Sequence, residues 1–201
     1  MKRREVVPVK TFRLLILATV VMAGSSIAAL AQKETYTGTV FSYGSGRNTR
    51  TTSNTFTLNI NGTTSDADVD RAVSILQEGG QDDLLDAIRK NDLGNFSVGG
   101  RLGRDLIGVR VDQYEGKKRI RAIFERWMNF GEIRGGYRSV DYPFGYLELL
   151  IDPATGKGEG TFLEAAQIRW KRNKKTNSYE VEIEDFGTFP ARLMGVSQRN
   201  R

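Results

Sequence analysis

The sequence predicts an α+β fold that is mainly antiparallel β: about eight strands in a barrel-like or strongly curved sheet, with one helical hairpin inserted near residues 65–91. Three observations carry this expectation. Apolar and polar residues alternate at period two through most of the chain beyond Phe96. The period shifts to that of a helix between Ser65 and Lys90. Turn-forming residues at Asn61-Gly62, Tyr114-Glu115-Gly116-Lys117 and Asp152-Pro153-Ala154-Thr155-Gly156 follow alternating runs closely, which favours hairpins between neighbours in sequence. Closure is preferred to an open flat sheet because it leaves no exposed edge.

Taken in order, residues 34–43 (ETYTGTVFSY) are rich in Thr and aromatics and read as a strand, followed by a polar loop from Gly44 to Ser53. Phe56, Leu58 and Ile60 alternate with Thr57 and Asn59, the pattern of a half-buried strand. Ser65 then caps a helix with Asp66 and Asp68 in its first turn. Its apolar face is Val69, Ala72, Val73 and Leu76, and Gly79-Gly80 ends it. A second helix opens at Asp82-Asp83, buries Leu84, Leu85 and Ile88, and ends on Arg89 and Lys90, a charge order that suits its dipole. The acidic opening argues against a DNA-reading helix-turn-helix, so the pair is read as a cap over one end or face of the sheet.

The remaining elements read as strands and turns. Ile107, Val109 and Val111 run out to the turn at 114–117, and Ile120, Ala122 and Phe124 return. Setting Val111 opposite Ile120 pairs Asp112 with Arg119 favourably and Arg110 with Arg121 unfavourably. Leu147, Leu149 and Ile151 form the next strand, and Phe162, Ile168 and Trp170 mark a long return. In the last hairpin, beyond a turn at Asn173–Asn177, Trp170 faces Val181 and Ile168 faces Ile183. Lys171 then meets Glu180, and Arg169 meets Glu182. A slip of one residue destroys this complementarity but a slip of two keeps it, so the pattern sets parity and leaves the register open.

The N-terminus has the layout of an export signal. Lys2, Arg3, Arg4, Lys10 and Arg13 surround and precede the uncharged run Leu14–Ala23, and Ala29-Leu30-Ala31 has the form of a cleavage site. Residues 1–31 are read as a signal peptide and 32–201 as a single β-rich domain, periplasmic or extracellular. An uncleaved anchor is the rival reading, because the 18 residues from Leu14 to Ala31 reach the lower limit for a bilayer span. Gly24, Ser25 and Ser26 interrupt that stretch, and no charge cluster stops it. A twin-arginine signal at Arg3-Arg4 fits poorly with Pro8 and the basic spacer.

Removing residues 1–31 leaves 25 basic and 23 acidic residues, so the net charge falls from +6 to about +2. Bulk basicity then gives no support to nucleic-acid binding, and none is expected. The chain has no cysteine and no histidine. That excludes disulfides, a Ser-His-Asp triad, a thiolate nucleophile and the usual zinc sites. No metal or cofactor is expected. An outer-membrane barrel shares the strand alternation. The helical pair, the many charges and an ending Gln198-Arg199-Asn200-Arg201 without an aromatic speak against stable membrane insertion.

Four blocks carry a resemblance: Gly79-Gly80-Gln81-Asp82-Asp83-Leu84-Leu85, Asp141-Tyr142-Pro143-Phe144-Gly145-Tyr146, Gly158-Glu159-Gly160-Thr161, and Phe186-Gly187-Thr188-Phe189-Pro190-Ala191-Arg192-Leu193. Over roughly residues 34–198 the chain resembles an uncharacterised family of bacterial proteins predicted to be exported. The resemblance implies export and one domain. It assigns no activity, ligand or site residue.

The candidate binding segment is the Gly-rich stretch carrying Arg134, Tyr137, Arg138, Asp141, Tyr142, Phe144 and Tyr146. At a barrel mouth its rings and guanidiniums would stack on a sugar or clamp an anion. Packing of the same rings onto the end of the core is the alternative. The basic residues Lys117, Lys118, Arg119, Arg169, Lys171, Arg172, Lys174 and Lys175 sit at hairpin tips, where charge serves solubility and edge protection. Asp152–Glu159 lacks the acidic positions of a calcium loop. Glu148, Glu159 and Glu164 are the carboxylates a glycoside hydrolase would draw on, but no spacing brings two together. The sequence therefore points to a non-enzymatic exported binding or interaction domain, its partner a small molecule, a glycan or an envelope protein. A carboxylate-based envelope hydrolase and a structural envelope component are the alternatives.

Overall fold

The computed structural model describes residues 33–43, 50–128, 130–172, 178–187 and 189–199. The stretch expected to be an export signal with its cleavage site, the core of the 44–53 loop, and the expected Asn173–Asn177 turn with Lys174 and Lys175 lie outside these residues, as do the last two positions of the sequence.

Alternation produces strands wherever one face can be buried. They are β1 (Glu34–Ser42), β2 (Thr52–Ile60), β3 (Gly94–Val98), β4 (Arg104–Tyr114), β5 (Lys117–Glu125), β6 (Phe144–Ile151), β7 (Lys157–Arg172), β8 (Tyr179–Asp185) and β9 (Ala191–Arg199). All pairings are antiparallel. Those of β6 with β7, β7 with β9 and β9 with β1 close eight strands into a barrel. β8 stands outside that ring. Ala166 of β7 pairs with Phe144 of β6 on one side and Asp185 of β8 on the other, whereas Phe162 pairs with Ala191 of β9. β8 and β9 thus succeed each other along one edge of β7, and the β7–β8 hairpin rises past the barrel rim.

Both registers follow the charge pattern. Val111 pairs with Ile120 and Asp112 with Arg119. Trp170 pairs with Val181 and Lys171 with Glu180. The unfavourable Arg110–Arg121 pair is present too, and each guanidinium turns away to a carboxylate. Arg121 donates to Asp112 at 2.7 Å, and Arg110 reaches Asp66 at 2.7 Å. Hydrogen bonds from Arg119 hold the Asp112 carboxyl below the usual carboxylate range, with Arg121 adding to the effect.

The inward side chains fill the barrel. Phe96 lies at the centre, with ring centroids of Phe124 and Phe162 both at 5.3 Å and Phe56 at 5.8 Å. Such aromatic pairs add about 0.5–1.5 kcal/mol each beyond the area they bury. The interior is therefore a packed core with no channel through it, capped at one end by Trp127, 5.5 Å from Phe124.

α1 (Asp66–Ile88) is the expected helical hairpin, broken where Gly80 takes φ 81°. Ser65 caps it, accepting from the Asp68 amide at 3.2 Å. It covers a face of the sheet: Leu76, Leu84 and Leu85 pack on Ile107, Phe144, Leu163 and Ile168 outside the barrel. Gln81 pins the bend by donating to the Asp141 carbonyl at 2.8 Å. Among the described residues, no helix is long and apolar enough to cross a membrane.

The stretch beyond Phe96 departs from strands and turns in one place. α2 (Phe130–Gly135) and a 3₁₀ turn at Arg138–Asp141 fill the β5–β6 connection. Gly131, Gly135 and Gly136 leave this segment without alternation, so local hydrogen bonding takes over. In β9 the apolar pattern is interrupted where Gly195 adopts φ 59°, placing Leu193 and Val196 on the core side across the irregularity.

Candidate functional site

Strands β1, β3 and β5 finish at the same end of the barrel, and there the connections surround a cavity of about 580 Å³. Phe162 and Trp127 reach it from the core. Tyr43, Phe186 and Phe189 bring further rings from other connections. Three carboxylates, Glu132, Glu164 and Asp185, face the same space, with Arg101 and Arg126. Volumes of about 300–1,000 Å³ are those of small-molecule sites.

The cavity wall is held by a buried ion pair. Arg126, 5% exposed, follows β5 and donates through Nε to the Tyr142 carbonyl at 2.6 Å and through Nη2 to the Ser139 carbonyl at 2.8 Å. The same guanidinium binds Glu132, which also accepts from the Ser139 hydroxyl. One side chain thus ties α2, the 3₁₀ turn and the start of β6 together. Glu164 is occupied in turn by Arg101 at 3.3 Å.

Asp185 is placed differently. It ends β8, half-buried, and accepts from the Gly187 amide at 3.1 Å, and no cation among the described residues pairs with it. Burial pushes its carboxyl above the ordinary carboxylate range, with the Gly187 and Phe186 amides pulling partly back. Asp185 pairs across strands with Ala166, two residues from Glu164.

A stability consequence follows. A carboxyl whose folded-state pKa is raised binds its proton more tightly folded than unfolded. Its favourable contribution is therefore present at low pH and is lost as pH rises from the ordinary value of 3.8 through the raised one. The nearby charges, Arg101 with Glu164 and Arg126 with Glu132, are already matched in pairs. Asp185→Asn keeps an acceptor for the Gly187 amide and removes the desolvated charge. Thermal melts are expected to show it more stable than wild type at pH 7 and level with it near pH 4. Equal melting temperatures at both pH values would sink this assignment.

The predicted segment forms part of the mouth, but its seven side chains part company. Tyr142 and Phe144 are buried. The Tyr142 hydroxyl donates to Glu184 at 3.0 Å while its ring meets Phe186 edge-on at 5.0 Å. Arg134, Tyr137, Arg138 and Asp141 are exposed and line none of the described cavities, although the Asp141 carbonyl receives Gln81. Tyr146 lies on the outer face, donating to Glu148 at 3.2 Å, and burial raises its phenol. It lines a second, apolar cavity of about 420 Å³ beneath α1. The segment's contribution to the mouth is Ser139, joined by Glu132 from just before it.

Of the three carboxylates picked out for hydrolysis, Glu164 alone lies at the mouth. Glu148 is outside the barrel near Tyr146, and Glu159 lies near Lys117 at the far end. Tyr43, Trp127, Asp185, Phe186 and Phe189 escape sequence reasoning because they sit on three separate connections. Strand parity is the available signal: in a closed meander, alternate connections meet at one end.

Comparison with known proteins finds no family model, curated protein or solved structure that matches the chain.

Proposed function

We propose that this chain is an exported, non-enzymatic binding domain whose ligand seat is the barrel-mouth cavity, and that the ligand is a ring-bearing small molecule or glycan. One observation carries the reading: five aromatic side chains, three carboxylates and two guanidiniums share one cavity on top of a rigidly packed barrel. Flat rings take up the apolar faces of a sugar, while carboxylates and guanidiniums meet its hydroxyls. A packed aromatic core below keeps the rim preorganised, which lowers the cost of binding. Export is supported by the layout of residues 1–31 and by the family resemblance. The apolar interior and charged outer face, with Arg110, Asp112, Arg119 and Arg121, are opposite to the lipid-facing pattern of an outer-membrane barrel.

The chain has two tryptophans, Trp127 at the mouth and Trp170 on β7. Trp170→Phe leaves Trp127 as the reporter. Titration of this variant with a panel of oligosaccharides is expected to change its emission saturably, and Phe189→Ala is expected to weaken that response at least tenfold. Saturable binding that Phe189→Ala leaves untouched would move the ligand elsewhere.

The hydrolase reading draws on one specific feature, Asp185 with its raised carboxyl lining the same cavity as the ion-paired Glu164. Inverting glycosidases hold their carboxyls about 6.5–9.5 Å apart, one protonated and one ionised. Release of reducing ends by wild type, abolished in Asp185→Asn, would decide in its favour.

A further inference from the structure

We infer that the mouth cavity selects a cationic ligand, an ammonium-bearing ring such as an amino sugar, with Asp185 as its counter-ion. The inference deepens the binding reading and rests on it.

Charge balance within the cavity carries the argument. Arg126 is matched by Glu132, and Arg101 by Glu164, so both guanidiniums are already taken. Asp185 remains, held by backbone amides and facing no cation among the described residues. Among the described residues the cavity therefore has one carboxylate in surplus, placed where burial disfavours its charge. A ligand that brings a positive charge to that point removes the cost. A neutral ligand must either leave it or hydrogen-bond to it at lower gain.

The surroundings suit a cation in a second way. Phe186 follows Asp185 directly, and Phe189, Tyr43 and Trp127 line the same opening. The faces of such rings carry negative potential and attract ammonium groups, by about 0.5–1 kcal/mol at exposed sites and more where water is excluded. An anionic ligand fits poorly, because it would have to break one of the ion pairs before finding a cation.

The test uses two probes with the same sugar skeleton. Triglucosamine carries ammonium groups, and tri-N-acetylchitotriose has them capped as neutral amides. With Trp127 emission in the Trp170→Phe protein at pH 6, triglucosamine is expected to bind at least tenfold tighter. Asp185→Asn, made in the same background, is expected to bring the two affinities within a factor of about two. Its melting temperature serves as the check that the variant is folded. If both probes bind wild type equally and Phe189→Ala weakens both, the cation inference is overturned while the mouth remains the seat. If the preference persists in Asp185→Asn, Asp185 is not the counter-ion and the inference fails. If neither probe binds at millimolar concentration, the amino-sugar assignment falls.

Discussion

Gly160→Ala is expected to destabilise the protein by about 3 kcal/mol, at the upper end of what overpacking a core costs. The reason is the closure seam. Gly160 pairs with Leu149 of β6 on one side and Leu193 of β9 on the other, so its backbone is fixed from both directions. A Cβ there would lie 2.0 Å from the Glu148 carbonyl oxygen and 2.8 Å from the Leu149 side chain. The clash is with backbone, which cannot rotate away, and relief requires parting the strands that close the ring. Gly158 has the same constraint, 2.2 Å from the Leu150 oxygen. Gly62 provides the contrast: its nearest neighbour would be a Leu93 methyl at 3.3 Å, which can shift. Urea denaturation should show a lower midpoint at unchanged slope for Gly160→Ala and little change for Gly62→Ala. Equal midpoints for the two variants would mean that β6 and β7 do not close the barrel.

Replacing Arg126 with methionine should cost about 3–5 kcal/mol, the range for breaking a buried ion pair from one side. Methionine matches the length of the aliphatic stem but leaves the Tyr142 and Ser139 carbonyls without their donor and takes the guanidinium from Glu132, whose side chain is 13% exposed. Adding Glu132→Gln should recover a good part of the loss, because the remaining charge is then gone. Arg126→Lys should not recover it, since an ammonium cannot reproduce the planar fork that reaches the Tyr142, Trp127 and Ser139 carbonyls and the Glu132 carboxylate at once. Hydrogen exchange offers a local readout: amides of α2 and the 3₁₀ turn should exchange faster in Arg126→Met, while those of β4 and β5 keep their order of protection. A double variant no more stable than Arg126→Met would show that the buried charge is not the source of the cost. Arg126 is a positioning residue for the mouth. It shapes the wall from which Glu132 and Ser139 face the cavity.

These effects bear on how stability and function divide across the molecule. The far end and middle of the barrel are apolar and filled. The mouth gathers charge, including a half-buried Asp185 whose carboxyl is pushed above the ordinary range by burial. Groups that cost stability in place are characteristic of sites, where a ligand removes the cost.

Much of the fold was legible in residue order. The hairpin at 111–120 could be registered residue by residue and the one at 170–181 fixed in parity, because cross-strand charge and apolar alternation act between neighbours on a short loop. The helical pair was legible from Ser65, the apolar spacing and Gly79-Gly80, all local signals. Composition alone rules out histidine, thiolate and disulfide chemistry. The candidate site was not legible in the same way. Arg134 to Tyr146 looked like a site because rings and charges crowd together along the chain, yet the chain sends Tyr142 into the packing, Tyr146 to the outer wall and Tyr137 to the surface.

What assembles the mouth is ring closure. Joining β6 to β7 and β9 to β1 sets Tyr43, Trp127, Glu164 and Asp185 around one opening, though each lies on a different part of the chain. Hydrogen bonding between strands that are remote in sequence does this, and it depends on backbone geometry and total core volume. Those quantities are summed over all eight staves. No window of neighbouring residues contains them.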